Sequence, residues 1–378
     1  MKVSADVIVI GGGLAGLTSA IHLSNKGLSV IVIERQSYPK HKVCGEYISK
    51  EVLPYFEYLG IDISGLGIAH INRFRFSSRG GKTVDTLLPL GGISISRYTI
   101  DHFLAQNATS SGSTIITEKV ENIIFDNDIF KVHTAQQTYT STIVIGAYGK
   151  RSNLDQALKR NFIFTKTPWV AAKAHYRGNF PDDLVGLYHF KGGYCGVSKV
   201  ENDAINICYI FDQQSLSKYK NIDEHLRNVL YNNPRLREIF DSCEMIFPRA
   251  LSISQISFEK KERVENHMLM IGDSAGLIHP LCGNGMAMAI HSAKMVSENV
   301  IEFMEGKIKT RKELENKHKY DWEKTFRYRI KFTSIINYLF YSNLLSNLVF
   351  SIVAKSPWLL RQIIKNTHGK PIEIQEHE

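Results

Sequence analysis

Ala5-Asp6-Val7-Ile8-Val9-Ile10 runs directly into Gly11-Gly12-Gly13-Leu14-Ala15-Gly16, and this junction decides the fold. The largely apolar run reads as a strand buried on both faces of a parallel sheet. From Leu17 to Lys26, small and apolar residues recur at helical spacing, and Gly27 ends the helix as a C-cap. Leu28-Ser29-Val30-Ile31-Val32-Ile33 reads as a second buried strand, closed by Glu34-Arg35. The whole is one βαβ unit.

Glycine at 11, 13 and 16 in this context is a dinucleotide fingerprint, and its logic is geometric. Gly11 allows the tight turn. Gly13 lets the backbone approach a pyrophosphate. Gly16 lets helix and strand pack closely, while the helix start at Leu14 and Ala15 faces the anion. Glu34, with Arg35 beside it, is placed to accept hydrogen bonds from adenosine ribose hydroxyls.

NAD and FAD share this unit, so a second feature must separate them. It lies far downstream, in Leu269-Met270-Ile271-Gly272-Asp273-Ser274-Ala275-Gly276 and His279-Pro280-Leu281-Cys282-Gly283-Asn284-Gly285-Met286. A carboxylate at a strand end, Asp273 after Gly272, suits the ribityl hydroxyls of a flavin. The Gly283-Asn284-Gly285 turn, opening a helix at Met286 after Pro280, suits the electron-rich edge of a reduced isoalloxazine.

The rest of the chain sets the organisation. Its 378 residues suggest two to three domains, and 43% apolar with 22% charged residues excludes a disordered or fibrous protein. Five scattered cysteines with no Cys-x-x-Cys pair argue against a disulfide framework or zinc ribbon. No metal site is expected. The N-terminal apolar run is too short for a signal peptide, and the cysteines fit a reducing compartment, so a cytoplasmic location is expected. The net charge of +9 is concentrated at 307–331, but its basic residues form no nucleic-acid-binding module, and no nucleic-acid partner is expected.

Helices are expected at 97–111 and 285–304, a hairpin turns at Asp126-Asn127-Asp128, and 142–145 and 267–271 read as buried strands. Residues 187–190, 194–200 and 204–211 read as antiparallel strands. Phe332–Ala354 carries no formal charge over transmembrane length. Asn337, Asn343 and Asn347 interrupt it, and its apolar stripe changes face near Ser342-Asn343, which points to two packed helices capping the domain. Peripheral membrane contact through these C-terminal helices is the alternative reading.

The fold class is therefore α/β: a Rossmann-type FAD-binding domain, a second antiparallel-sheet substrate domain and a C-terminal helical region. The expected division is 1–70, 95–162 and 255–305 for the FAD-binding domain, 71–94 and 163–254 for the substrate domain, and 306–378 for the helical region.

These motifs resemble the single-Rossmann FAD-dependent oxidoreductases, which include the aromatic (group A) flavoprotein monooxygenases, the geranylgeranyl reductases and the flavin-dependent halogenases. Lys42-Val43-Cys44-Gly45-Glu46 is similar to the Cys-Gly-Glu segment of the geranylgeranyl-reductase-like branch, which implies that Cys44 and Gly45 pass close to the flavin ring. Arg97-Tyr98-Thr99-Ile100-Asp101-His102-Phe103-Leu104 resembles the helix whose arginine reaches the cofactor. By the same resemblance, Val120 would hold the adenine through its backbone. The chain departs from the family at Tyr148-Gly149, where members commonly carry Asp-Gly. The Trp-x-Trp-x-Ile-Pro segment of the halogenases is absent.

The leading expectation is an FAD-dependent monooxygenase that hydroxylates an aromatic or polyketide-like lipophilic small molecule. The alternative is an FAD-dependent ene-reductase of isoprenoid or polyene double bonds, and a halogenase or a non-catalytic flavin sensor ranks below both. With no second Rossmann unit, electrons must come from transiently bound NAD(P)H or a protein electron donor. Trp169, Tyr176, Tyr188, Phe190, Tyr194 and Tyr209 suggest an aromatic wall facing the substrate. The acid/base candidates are Cys44, His279, Tyr194 and His175. The oligomeric state is left open.

Overall fold

The computed structural model describes residues 3–219, 222–341 and 343–374. Two sheets organise them. In the first, parallel strands Thr114–Thr117, Val30–Glu34, Val3–Ile10, Thr138–Gly146 and Met268–Met270 lie side by side in that order. Val7 pairs with Val30 on one side and Ile143 on the other, so the opening strand is central. That position explains why its side chains from Val7 to Ile10 are all buried.

Helix Leu14–Asn25 follows Gly11 and packs on helix Gly285–Met304. Gly11 sits at φ +105°, and a Cβ on Gly16 would collide with the Gly11 carbonyl oxygen. The first glycine makes the turn and the third makes the close packing, as the sequence predicts.

The second sheet runs in the order Cys243–Met245, Trp169–Gly178, Ile205–Asp212, Gly193–Lys199, Leu184–Phe190, Ala69–Ser77, Thr83–Ser94 and Tyr47–Ser49. It is antiparallel except where Leu184–Phe190 meets Ala69–Ser77, which pair in parallel. Strand Tyr47–Ser49 lies within the 1–70 stretch assigned to the flavin domain, yet it pairs with Thr83–Ser94 of the second sheet. The chain thus crosses from one sheet to the other immediately after Cys44-Gly45-Glu46.

Period-two alternation also divides the aromatic residues expected to face a substrate. Tyr176, Tyr188 and Phe190 pack on the opposite face, in a core shared with Leu236 and Phe240 of helix Pro234–Asp241.

The C-terminal region is helical: Arg311–Tyr341, Asn343–Lys355 and Pro357–Thr367. The uncharged stretch divides into two helices at the point where its apolar face changes, with Ser342 itself outside the described residues. Among the described residues no helix is long and apolar enough to cross a membrane. The first helix is anchored by Arg263, whose guanidinium lies 3.6 Å from the Trp322 ring centroid and whose Nη2 donates to Glu323 at 2.9 Å. The chain after the last helix is tied to buried Glu51, which accepts from Gly369 N at 2.5 Å.

Candidate active site

One continuous cavity of about 680 Å³ runs from the end of Val30–Glu34, past both glycine turns, to the underside of the C-terminal helices. Its first half is built from backbone. Gly13 precedes helix Leu14–Asn25 with no side-chain cap, and Asn284 precedes Gly285–Met304 likewise. Two uncapped helix N-termini therefore border the same space, and each offers orphan N–H groups and the positive end of a dipole. A Cβ on Gly13 would stand 3.4 Å from Arg97 Nη2 and 3.6 Å from Lys42 Nζ, so the absent side chain leaves a cradle between two cations.

Arg97 is held in that position rather than left to swing. Its Nε and Nη2 donate to buried Asp101 at 2.7 and 2.8 Å, and Lys42 reaches the same carboxylate at 2.8 Å. Burial pushes the Asp101 carboxyl up, but the charges of Arg97 and Lys42 outweigh it and hold the group below its usual range. The spacing of Arg97 and Asp101, one helical turn, is thus a device for aiming the arginine.

At the far end Glu34 accepts from Gly12 N at 2.9 Å and pairs with Lys40 at 2.6 Å. Burial opposes ionisation here too, but Lys42, Lys40 and the Gly12 N–H win, so Glu34 stays a charged acceptor. Its Oε1 is taken up by Lys40 and by Gln36 N at 3.2 Å, whereas Oε2, which accepts only from Gly12 N, keeps a second lone pair for a ribose hydroxyl.

Gly11, Gly13, Leu14, Ala15, Glu34, Arg35, Cys44, Gly45, Arg97, Gly272, Asp273, Pro280, Gly283, Gly285 and Met286 all line the cavity. Three of the residues expected to hold the cofactor do not. Gly16 acts behind the wall through packing. Buried Asn284 donates to Thr367 O at 3.2 Å and so braces the C-terminal helices. Val120 begins a strand hairpin, paired with Thr134, away from the cavity lining.

The Cys-Gly-Glu segment hides an ionic hub that its sequence gave no reason to expect. Glu46 is fully buried with φ +55°, a left-handed conformation uncommon outside glycine. Its carboxylate pairs with buried Lys173, accepts from His175 Nε2 at 2.7 Å, and accepts from Arg97 N at 2.7 Å. Burial raises its pKa, yet the His175 hydrogen bond and the Lys173 charge bring it below the ordinary value. His175, expected as an acid or base, is therefore a structural partner of Glu46 and does not line the cavity. His279 is likewise structural: its Nδ1 caps Leu281 N at 3.3 Å, and burial pushes its pKa down to about 3. Cys44 and Tyr194 remain at the cavity wall.

A second pair was not anticipated. Tyr47 lies against the flavin-type turn, where a Cβ on Gly283 would stand 3.3 Å from its ring. Its hydroxyl is 3.4 Å from His368 Nε2. His368 Nδ1 is 3.0 Å from Ile364 O; donating there leaves Nε2 as an acceptor for the tyrosine. Burial lowers the His368 pKa and raises that of Tyr47, so both are neutral around pH 7. Both line the cavity.

The other half of the cavity is apolar. Phe74, Phe76, Leu187 and Ile210 of the second sheet face Ile336, Val353, Leu360, Ile363 and Ile364 of the C-terminal helices across it.

A glycine cradle facing cations, a charged ribose acceptor and a second helix N-terminus define the cofactor half as a flavoprotein site, and FAD is the group these residues fit. The family described as FAD binding domain matches residues 4–314, and the chain belongs to it. Among curated relatives, digeranylgeranylglycerophospholipid reductase of Methanosarcina mazei is 25% identical, over 90% of this chain and 86% of its own length. Conditioned medium factor receptor 1 of Dictyostelium discoideum is 24% identical over 79% of this chain, which spans 63% of that protein. The solved structure of the flavin-dependent brominase Bmp2 superposes with a TM-score of 0.80 at 19% identity, covering 96% of this chain and 93% of that one. The chain is a member of the single-Rossmann FAD-dependent oxidoreductase superfamily.

Proposed function

We propose that the chain is a monooxygenase that hydroxylates the phenolic ring of an amphiphile with a long apolar tail. The Tyr47–His368 pair carries this reading. It places a neutral, oriented proton acceptor beside the flavin turn, at the point where the polar cofactor half of the cavity gives way to its apolar half. A phenol is activated toward an electrophilic oxygen when its proton departs. Tyr47 accepts that proton as it passes its own to His368 Nε2, and His368 holds it while Ile364 O fixes the tautomer. Tyr194 borders the ring position, and the apolar tail extends between the second sheet and the C-terminal helices.

Bound FAD supplies the two-electron chemistry with dioxygen. One oxygen atom enters the ring, the other leaves as water, and a transiently bound NAD(P)H or a protein donor provides the electron pair. The residues of this chain orient FAD through Gly13, Arg97, Glu34 and Asp273, and exclude water from the tail by the apolar wall.

A second reading, reduction of an isoprenoid double bond, is favoured by one observation. Cys44 and Arg97 both line the cavity, and the thiol could deliver a proton to carbon there. The near full-length similarity to a phospholipid reductase supports the same reading. Product mass separates the two. Incubation with an alkylated phenol, reductant and air is expected to add one oxygen atom. A polyene-bearing lipid gaining two hydrogens while the phenol is untouched would overturn the hydroxylase reading.

A further inference from the structure

The helices that roof the apolar half of the cavity carry a second surface on their outer side. Along Arg311–Tyr341, Tyr320, Lys324, Tyr328, Lys331, Ile335 and Tyr338 recur at three- and four-residue spacing and are all exposed. Tyr338 is 71% exposed and Ile335 59%. The pattern repeats in Ile352, Lys355, Trp358, Arg361 and Lys365, with Trp358 65% exposed. Between Glu323 and Glu373 the sequence holds eight Lys/Arg and no Asp or Glu. Of these basic residues Arg329 is occupied by buried Glu51 at 3.2 Å.

We propose that this outer face docks on an anionic lipid bilayer. Aromatic and aliphatic side chains alternating with cations suit the headgroup boundary. There Tyr and Trp place a polar edge in water and a ring in the acyl region, and each cation gains from the negative surface potential. Nothing in the stretch repels that potential, whereas an ordinary solvated helix mixes both signs. The inner side of the same helices, at Ile336, Val353, Leu360 and Ile364, lines the cavity. A tail leaving the bilayer therefore has only the thickness of the roof to cross. The docking rests on the proposed substrate only for this route, and it is measured without turnover, so the two can fail separately.

The test is sedimentation of the FAD-loaded protein with vesicles of phosphatidylcholine alone or with phosphatidylglycerol added. Binding is expected only to the anionic vesicles and should weaken as salt is raised. The double variant K331E/K355E should lower the partition coefficient at least about tenfold. I335S/W358S should lower it too. None of these four residues lines the cavity, so flavin absorbance should stay at the parent level and report that each variant is folded. Failure to bind anionic vesicles would overturn the proposal, even if DNA or an acidic protein is retained. Equal binding to neutral vesicles, or a charge-reversed double variant that binds as the parent does, would also overturn it.

Discussion

At its cofactor end the cavity is walled by Gly11, Gly13, Gly283 and Gly285 and by two helix N-termini. At its other end it is walled by side chains from the second sheet and from three helices near the C-terminus. The first wall is backbone, each half of it shaped by a turn within a few residues. The second is assembled from segments that meet only in the finished fold. At Gly11 and Gly16 the backbone leaves no room even for a Cβ, because the carbonyls it would meet cannot move aside. A side-chain wall can change shape by repacking. The difference sorts what substitutions should do: near the glycines, loss of cofactor; near the roof, altered choice of substrate.

The largest expected effect lies on the backbone side. G16V puts a branched side chain where even a Cβ meets the Gly11 carbonyl. The helix must shift off the strand, and the pyrophosphate cradle at Gly13 shifts with it. Purified G16V should be colourless, with no flavin absorbance after soaking in FAD. A yellow G16V protein at parent occupancy would mean that the first turn does not hold the cofactor.

The seam between the two walls comes next. E46Q leaves Lys173 buried without its counter-charge, a loss of roughly 3–5 kcal/mol by the usual cost of breaking a buried pair. The pH dependence sharpens this. Glu46 is held below its ordinary value near 4.5, so its contribution is present above that pH and is lost as pH falls through the lowered folded value. Denaturant titrations should show the E46Q deficit as large at pH 7 and shrinking on acidification below about pH 4.5. A constant deficit across that range would remove the ionic hub from the account.

How much of each wall could be read in advance follows the same divide. The Gly11–Gly16 turn, Asp273 and helix Gly285–Met304 were legible because turn chemistry and helix starts are local. Glu46 was visible only as part of a motif. Its partner Lys173 is 127 positions away, and burial, not spacing, makes the pair. Tyr47 and His368 are 321 positions apart, on a short strand and at a helix end, and no period links them. His175 and His279 drew attention as titratable side chains, but what decides their role is that one faces Glu46 and the other caps Leu281. The apolar wall failed in a third way. Tyr176, Tyr188 and Phe190 are as aromatic as Tyr194, and only the register of the sheet puts them on the far side.

At the meeting of the two walls, Y47F keeps the ring against Gly283 and removes the hydroxyl that joins the cavity to His368. Turnover should fall about a hundredfold, within the usual range for a lost general acid or base, while FAD absorbance stays at the parent level. H368N should do the same and flatten the pH profile of turnover. Equal rates in Y47F would transfer the proton-handling role to Tyr194 or Cys44.

The smallest effect, and the most selective, belongs to the roof. Leu360 and Ile364 sit one helical turn apart on Pro357–Thr367, both buried and both lining the apolar half. L360W extends an indole into that space without touching the glycine turns, Arg97 or Asp273. A pocket that loses the room of a few methylenes discriminates by about 1–3 kcal/mol. L360W should therefore raise KM for a long-chain substrate by roughly ten- to a hundredfold, with KM for a short-chain analogue near the parent value and flavin content intact. Because a displaced tail leaves the head beside Tyr47, kcat at saturation should change little. Loss of kcat with both substrates would mean that the roof positions the reacting ring itself, and the contrast between a rigid cofactor wall and an adaptable substrate wall would no longer hold at that helix.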